Sequence, residues 1–373
     1  MRKMGIADLP LHYGRCPKWL FPKMVKLSRI ITETIILEFG IDEFLKNISD
    51  PFFFQSLGCI VGYDYHSSGV TTTLMGALKE ALSIQEHGIA VCGGKGKASR
   101  ETQKEIEDIA DTIPFTQNKI EELKYVSRVV AKVDNSAIQA GYPLYHHSFI
   151  FTEKGKWAVI QQGMNTENRY ARRYHWLSDE VKNFVVEPHK AIVSDKIEEF
   201  VLNLTSSKSI ETQEVITDIS KEGPRKVQNL YEEMNEKTNV TQMEWIKHSV
   251  TKIKAGHLIM PRSINWDTAR KLYDKQPANF EEVLTTDGVG PNTVRALALI
   301  SMLIYGTEID WKDPVKYSFC VGGKDGVPYP VNMKTYDKTI EVLQNAVKQS
   351  KMGYRDQTMA LMKLGNLLKD NSL

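Results

Sequence analysis

Apolar residues recur at helical spacing through the first part of the chain. Met24, Leu27, Ile31 and Ile35 predict a helix from Pro22 to about Phe39, and Asp42 to Ile48 predicts a shorter one before Asp50-Pro51. The run from Phe52 to Val61 is almost wholly apolar, predicts a buried element, and is followed by Asp64. A helix is expected from Leu74 to Leu82, a short strand over Gly88 to Val91, and a helix from the following glycine loop to about Thr112. Ile120 to Val133 reads as another helix, with Leu123, Val126, Val130 and Val133 on one face.

The pattern then shifts to β. Leu144 to Phe151 and Trp157 to Met164, joined by Glu153-Lys154-Gly155-Lys156, predict an antiparallel hairpin. Such a pairing brings His146 and His147 of one strand close to Gln161 and Gln162 of its partner. Neighbouring residues alternate between faces, so at most one histidine per face can serve a common site. Past Pro188 the sequence reads as helical and polar through Glu236, with Leu204 to Ser209 as a linker. Thr241 to Ala255, Trp266 to Lys275 and Phe280 to Leu284 predict further short helices. After Pro314 a glycine- and proline-rich loop precedes two closing helices, Met333 to Gln349 and Arg355 to Leu368. The expected fold is α+β: a mixed domain over residues 1–200 carrying the antiparallel hairpin, then a helical domain over residues 210–373.

Composition narrows the function classes. The chain has 373 residues, 42% hydrophobic and 25% charged, with a net charge of +2, so a surface for nucleic acid must come from local clustering. Cys16, Cys59, Cys92 and Cys320 form no Cys-x-x-Cys pair, which argues against a disulfide framework and a thiolate zinc site and fits a reducing cytoplasm. No apolar run approaches the ~20 residues a membrane span needs, and Met1 to Pro10 lacks a signal-peptide core. The expected location is cytoplasmic, with no membrane partner and the oligomeric state open.

Asp287-Gly288-Val289-Gly290-Pro291-Asn292-Thr293 joins a short helix to a long apolar one. Gly288 and Gly290 allow a tight turn and close backbone approach, Pro291 suits a first helical position, and Thr293 is expected to expose its hydroxyl in the first turn. Residues 278–304 resemble the helix-hairpin-helix element, whose Gly-hydrophobe-Gly turn grips a nucleic-acid phosphate. A tight helix-helix turn without a ligand is the alternative. Further cations lie in Cys92-Gly93-Gly94-Lys95-Gly96-Lys97-Ala98-Ser99-Arg100, where Lys95, Lys97 and Arg100 precede a helix and suit a phosphate. The stretch lacks the Gly-Lys-Ser/Thr ending of a Walker loop, so nucleotide hydrolysis is not implied. Arg172 and Arg173 among Tyr170, Tyr174 and Trp176 suit phosphate binding with base stacking, or ordinary aromatic packing; Lys324 lies in the late glycine loop.

Nearly the whole chain resembles an uncharacterised prokaryotic family, the domain of unknown function numbered 763. The resemblance rests on Ala7-Asp8-Leu9-Pro10-Leu11-His12, His66-Ser67-Ser68-Gly69, Gly93-Gly94-Lys95-Gly96-Lys97, Tyr145-His146-His147-Ser148-Phe149, Gln161-Gln162-Gly163-Met164, Ala171-Arg172-Arg173-Tyr174-His175-Trp176 and Gly322-Gly323-Lys324-Asp325-Gly326. It implies no activity, so chemistry must come from the residues. The first reading is a metal-dependent DNA nuclease: Asp64, His66, Asp134, His146, His147 and Gln161 would surround the reaction, with Asp64 and His146 as ligand candidates for Mg²⁺ or Mn²⁺. The missing Asp…Glu-x-Lys pattern counts against it. The second is a base-excision glycosylase, because the hairpin resembles that of helix-hairpin-helix glycosylases and Asp310 and Asp313 follow its long helix. The third is a non-catalytic DNA or RNA binder. DNA is expected ahead of RNA in all three.

Overall fold

Helices open the chain because the first third spaces its apolar residues for them. The structure, a computed structural model, describes residues 16, 18–61, 68–194, 196–240 and 260–316, with isolated positions 345, 348 and 358. Helix α1 (Phe21–Phe39) takes Pro22 in its first turn and buries Met24, Ile31 and Ile35. Helix α2 (Ile41–Ile48) follows, and then α3 (Pro51–Ile60), whose Asp50 caps it by accepting from the Phe52 and Phe53 amides at 2.9 and 3.0 Å. Helix α4 spans Gly69–Ala81. It begins five residues before the expected Leu74, so Thr71, Thr72 and Thr73 belong to its first turns rather than to a loop. A short α5 (Ile84–His87) leads into the sheet.

The sheet has five strands in the order β1-β3-β4-β5-β6, each antiparallel to its neighbour. They are β1 (Ile89–Lys95), β3 (Leu144–Thr152), β4 (Trp157–Asn165), β5 (Tyr170–Leu177) and β6 (Ala191–Val193). A separate two-stranded pair joins β2 (Ile138–Gln139) to β7 (Leu202–Asn203). Between β1 and β3 lie α6 (Ala98–Ala110) and α7 (Gln117–Lys132), the latter continuing through a π turn, Val133–Ala137.

Side-chain alternation gives the sheet two buried faces. Val91, Ile150, Ala158, Ile160 and Leu177 point toward α1–α4 and share one apolar cluster with them. Cys92, Phe149, Phe151, Val159, Tyr174 and Trp176 point the other way, into a cluster with α6, α7 and the later helices. Those helices are α8 (Ile210–Lys221), α9 (Pro224–Val240), α10 (Trp266–Lys275), α11 (Phe280–Thr285) and α12 (Pro291–Tyr305).

Several expectations are corrected. Arg172, Tyr174 and Trp176 alternate with Arg173, His175 and Leu177 because this stretch is a strand buried on both faces, so its period is two. The region after Pro188 holds no α-helix until Ile210; β6, β7, irregular chain and a single 3-10 turn at Ser207–Ser209 fill it. Leu204 to Ser209 is no free linker: Leu204, Thr205, Ser206 and Ser209 are buried, and the Ser209 hydroxyl donates to the Asn203 carbonyl at 2.9 Å. The expected helix at 241–255, all but isolated positions of those at 333–349 and 355–368, and most of the glycine- and proline-rich loop lie outside the described residues.

The stretch 280–305 forms two helices around a turn. Asn279 caps α11 by accepting from the Glu282 amide at 2.9 Å. Gly288 adopts φ +87°, and a Cβ there would meet the Thr268 hydroxyl at 2.7 Å, so glycine is required for both conformation and space. Gly290 precedes α12 in extended backbone. Thr293 is buried rather than exposed, because the first turn of α12 faces the core.

Candidate functional site

The sheet's register aligns the polar residues singled out above. His147 sits opposite Gln161, and Gln161 opposite Tyr174, so these share the face covered by α7. There the polar groups form a chain. The Gln161 side-chain amide donates to Asp134 Oδ2 at 2.5 Å and to the Val130 carbonyl at 3.2 Å. Both partners are acceptors, which fixes the amide orientation and leaves Gln161 Oε1 facing His147 Nδ1 at 2.8 Å. An amide oxygen only accepts, so Nδ1 carries the proton and His147 Nε2 presents a lone pair. That nitrogen takes the hydroxyl proton of Ser127, 2.9 Å away on α7.

Asp134 anchors the other end. The π turn brings it into the core, where its oxygens also accept from Trp176 Nε1 at 3.0 Å and bond His189 Nε2. Burial pushes the Asp134 carboxyl up, against the lowering pull of His189, Trp176 and Gln161. His147 moves the other way: desolvation lowers it to about 4, only partly offset by its bond to Gln161, so the ring is neutral at physiological pH.

Ser127 and His147 line a pocket of about 230 Å³ between α6, α7 and β3, together with Ser99, Thr102, Arg128 and Tyr145. Arg128 is exposed on its wall, next in sequence to Ser127. Lys95 lies over the Tyr145 ring, 5.8 Å from its centroid, at the end of β1. Lys95, Lys97 and Arg100 are all exposed. The glycines before them are held rather than loose: Glu105 accepts from the Gly93 amide at 2.7 Å, and Lys79 donates to the Gly93 carbonyl at 2.9 Å and to Glu105. A hydroxyl paired with a neutral imidazole, bordering a pocket walled by a cation, can carry proton transfer or nucleophilic attack on an anionic substrate.

The opposite face carries a second polar row. His146 pairs in register with Gln162, and Gln162 with Arg173. Thr71 donates to Gln162 Oε1 at 2.5 Å, while the Gln162 amide donates to the Ser68 carbonyl at 2.8 Å and bonds the Tyr145 hydroxyl. Arg173 donates to His175 Nε2 at 2.9 Å and to Gln55 at 3.2 Å, with its guanidinium 4.5 Å from the Phe54 ring centroid. His146 Nε2 bonds the Ser148 hydroxyl at 2.9 Å, and burial, then His147 and Lys95, lower its pKa to about 3. The two adjacent histidines therefore make their hydrogen bonds on separate faces, although both border the pocket.

The remaining sequence candidates divide. Asp64, His66 and Lys324 lie outside the described residues. Arg172 is wholly buried and donates to Asp313 at 2.6 Å, so neither is presented to a ligand; the same carboxylate oxygen accepts the Glu198 amide at 2.8 Å. Arg173 is equally buried, which corrects the expectation that the arginine pair contacts phosphate. Asp310 pairs through its backbone with Asn203, and its side chain accepts from the Lys312 amide at 3.0 Å. Among the described residues no group of three or more His, Cys, Asp and Glu side chains could hold a metal ion. Ser127 was missed in the sequence although it carries a signal: it lies on the apolar face of α7 with Ile120, Leu123 and Val130, where a hydroxyl needs a partner.

The fold and site define an α+β protein with a polar network on each sheet face, one of them opening to a pocket. The chain belongs to the family described as "Protein of unknown function (DUF763)", whose model matches residues 5–331. No curated protein and no solved structure matches it. No helix among the described residues is long and apolar enough to cross a membrane.

Proposed function

We propose that the protein is a hydrolase of nucleic-acid phosphodiester bonds, with DNA ahead of RNA as substrate. The observation that carries this reading is the buried Ser127–His147 pair at 2.9 Å, which borders a pocket whose wall includes the cation Arg128. Phosphodiester cleavage needs a base to accept a proton, a cation against the phosphate and a route for leaving-group protonation. His147 supplies the first and third, and Arg128, with Lys95 nearby, the second.

The turn at 286–290 supports the nucleic-acid part. It resembles the phosphate-gripping hairpin, and Lys132 donates to the Val289 carbonyl at 2.5 Å. Lys132 lies on the same helix as Ser127, about 7.5 Å further along the axis. One rigid helix thus joins the handle to the reacting pair. The exposed Asp287 beside Gly288 pairs with Lys271 at 2.5 Å, so the turn's own carboxylate is neutralised.

The test is incubation with labelled single-stranded, duplex, flap and abasic DNA and matched RNA, in Mg²⁺, Mn²⁺ or EDTA. Cleavage is expected, with Arg128→Ala raising KM more than it lowers kcat. Cleavage that persists in EDTA would assign charge neutralisation to the protein's cations, and cleavage only with Mg²⁺ or Mn²⁺ would assign it to a divalent ion. Failure to cleave any substrate under any of these conditions overturns the reading.

A further inference from the structure

We propose that Ser127 is a nucleophile, so that strand cleavage proceeds through a covalent phosphoseryl intermediate rather than by direct attack of water. The inference rests on the phosphodiesterase reading for its substrate, but the activated serine itself stands on geometry alone.

Three observations converge on it. Ser127 sits in the middle of α7, where a serine hydroxyl commonly returns to its own helix's backbone; here it is spent on His147 Nε2 at 2.9 Å. His147 is held in the one tautomer that can accept that proton, because Gln161 Oε1 takes the proton on Nδ1 at 2.8 Å. Gln161 is in turn prevented from flipping, since its amide faces Asp134 and the Val130 carbonyl. Nucleophile, base and orienting group thus lie in sequence, with a buried carboxylate behind them.

The chemistry balances without redox. In the first step the Ser127 proton moves to His147 Nε2, Oγ bonds to phosphorus, and the leaving strand's alkoxide departs and takes the proton back from Nε2. In the second, water gives a proton to Nε2, its oxygen bonds to phosphorus, and Ser127 leaves and recovers the proton. The products are one strand with a free hydroxyl and one with a terminal phosphate. A strand hydroxyl in place of water in the second step would rejoin the two. Gln161 is a positioning residue: it never meets substrate, but it holds the tautomer.

The test is labelling of the full-length protein with a fluorophosphonate probe, followed by intact mass and peptide mapping, in parallel with DNA cleavage. The probe reacts by forming an Oγ–P bond and expelling fluoride as the proton passes to His147. The expected result is one adduct at Ser127, absent in Ser127→Ala and slowed about a hundredfold or more in His147→Ala. Ser127→Ala should also lower cleavage by on the order of a thousandfold. Gln161→Glu should shift the pH dependence of labelling, which a merely structural glutamine would not. Ser127→Cys, checked for an unchanged melting temperature, guards against a folding artefact and should move reactivity to thiol-directed probes. Labelled Ser127 without DNA cleavage upholds the nucleophile and removes the nucleic-acid reading. Cleavage that depends on His147 but survives Ser127→Ala, with no adduct, overturns the nucleophile and leaves that reading standing. Neither adduct nor cleavage overturns both.

Discussion

At the scale of the residue, His147 governs the site, and its ionisation makes two predictions. Its folded pKa is lowered from the ordinary value near 6.5 to about 4, with burial as the largest cause. A lowered histidine pKa means that the unfolded chain takes up a proton before the folded one. The stabilising contribution is therefore complete above about pH 6.5 and is lost as pH falls through about 4. The melting temperature should fall across that window, and less steeply in His147→Gln, as scanning calorimetry at several pH values would record. Because the base must be neutral, the acid limb of the cleavage profile should lie near pH 4 and not near 6.5. His146, one residue away, provides the contrast. It borders the same pocket but is bonded to Ser148 rather than to Ser127, so His146→Ala should lower cleavage far less than His147→Ala, while an equal loss would mean that the reacting base is not His147 alone. That these histidines divide between faces was legible from strand alternation. The partnership of Ser127 with His147 was not, because it joins a helix to a strand twenty residues later through a contact that no local pattern encodes.

At the scale of the element, α7 and the 286–290 turn form one unit. Strong periodicity made α7 legible, and the turn's glycines made the two flanking helices legible. Strand β5 was obscured because arginine and histidine stand at positions where a buried strand ordinarily shows apolar residues. Their burial is tolerated since each polar head finds a partner across the fold, such as Asp313 for Arg172 and Gln55 for Arg173. The turn itself offers a direct test. Gly288→Ala forces a Cβ against Thr268 at a positive φ, which should cost on the order of 1–3 kcal/mol by denaturant titration. Lys132→Ala breaks the bond to the Val289 carbonyl without touching the pocket. It should weaken DNA binding, measured by fluorescence anisotropy, while sparing turnover of a small diester such as bis(p-nitrophenyl) phosphate.

At the scale of the whole molecule, the sheet is the divider. Helices α1–α4 and one apolar cluster lie on one side; α6, α7, the helices from α8 onward and a second cluster lie on the other. The class, α+β with an antiparallel sheet, could be read from the sequence. The shared core between the sheet and the later helices could not, since it is assembled from residues far apart in the chain. The buried Arg172–Asp313 pair fastens β5 to the segment after α12, with both side chains removed from solvent. Asp313→Asn leaves a buried guanidinium without its counter-charge and should cost about 3–5 kcal/mol in chemical denaturation. If Asp313 were instead the carboxylate of a glycosylase, the same variant would stay as stable as the parent and lose base excision.

The role of His147 at the pocket is the point on which the proposed chemistry depends. The most direct measurement is the single-turnover rate of cleavage of labelled DNA by the parent protein and by His147→Ala, with both melting temperatures recorded. The predicted result is a rate lower by roughly 10²–10⁴ in the variant while it remains folded. Equal rates in the two proteins would contradict the account.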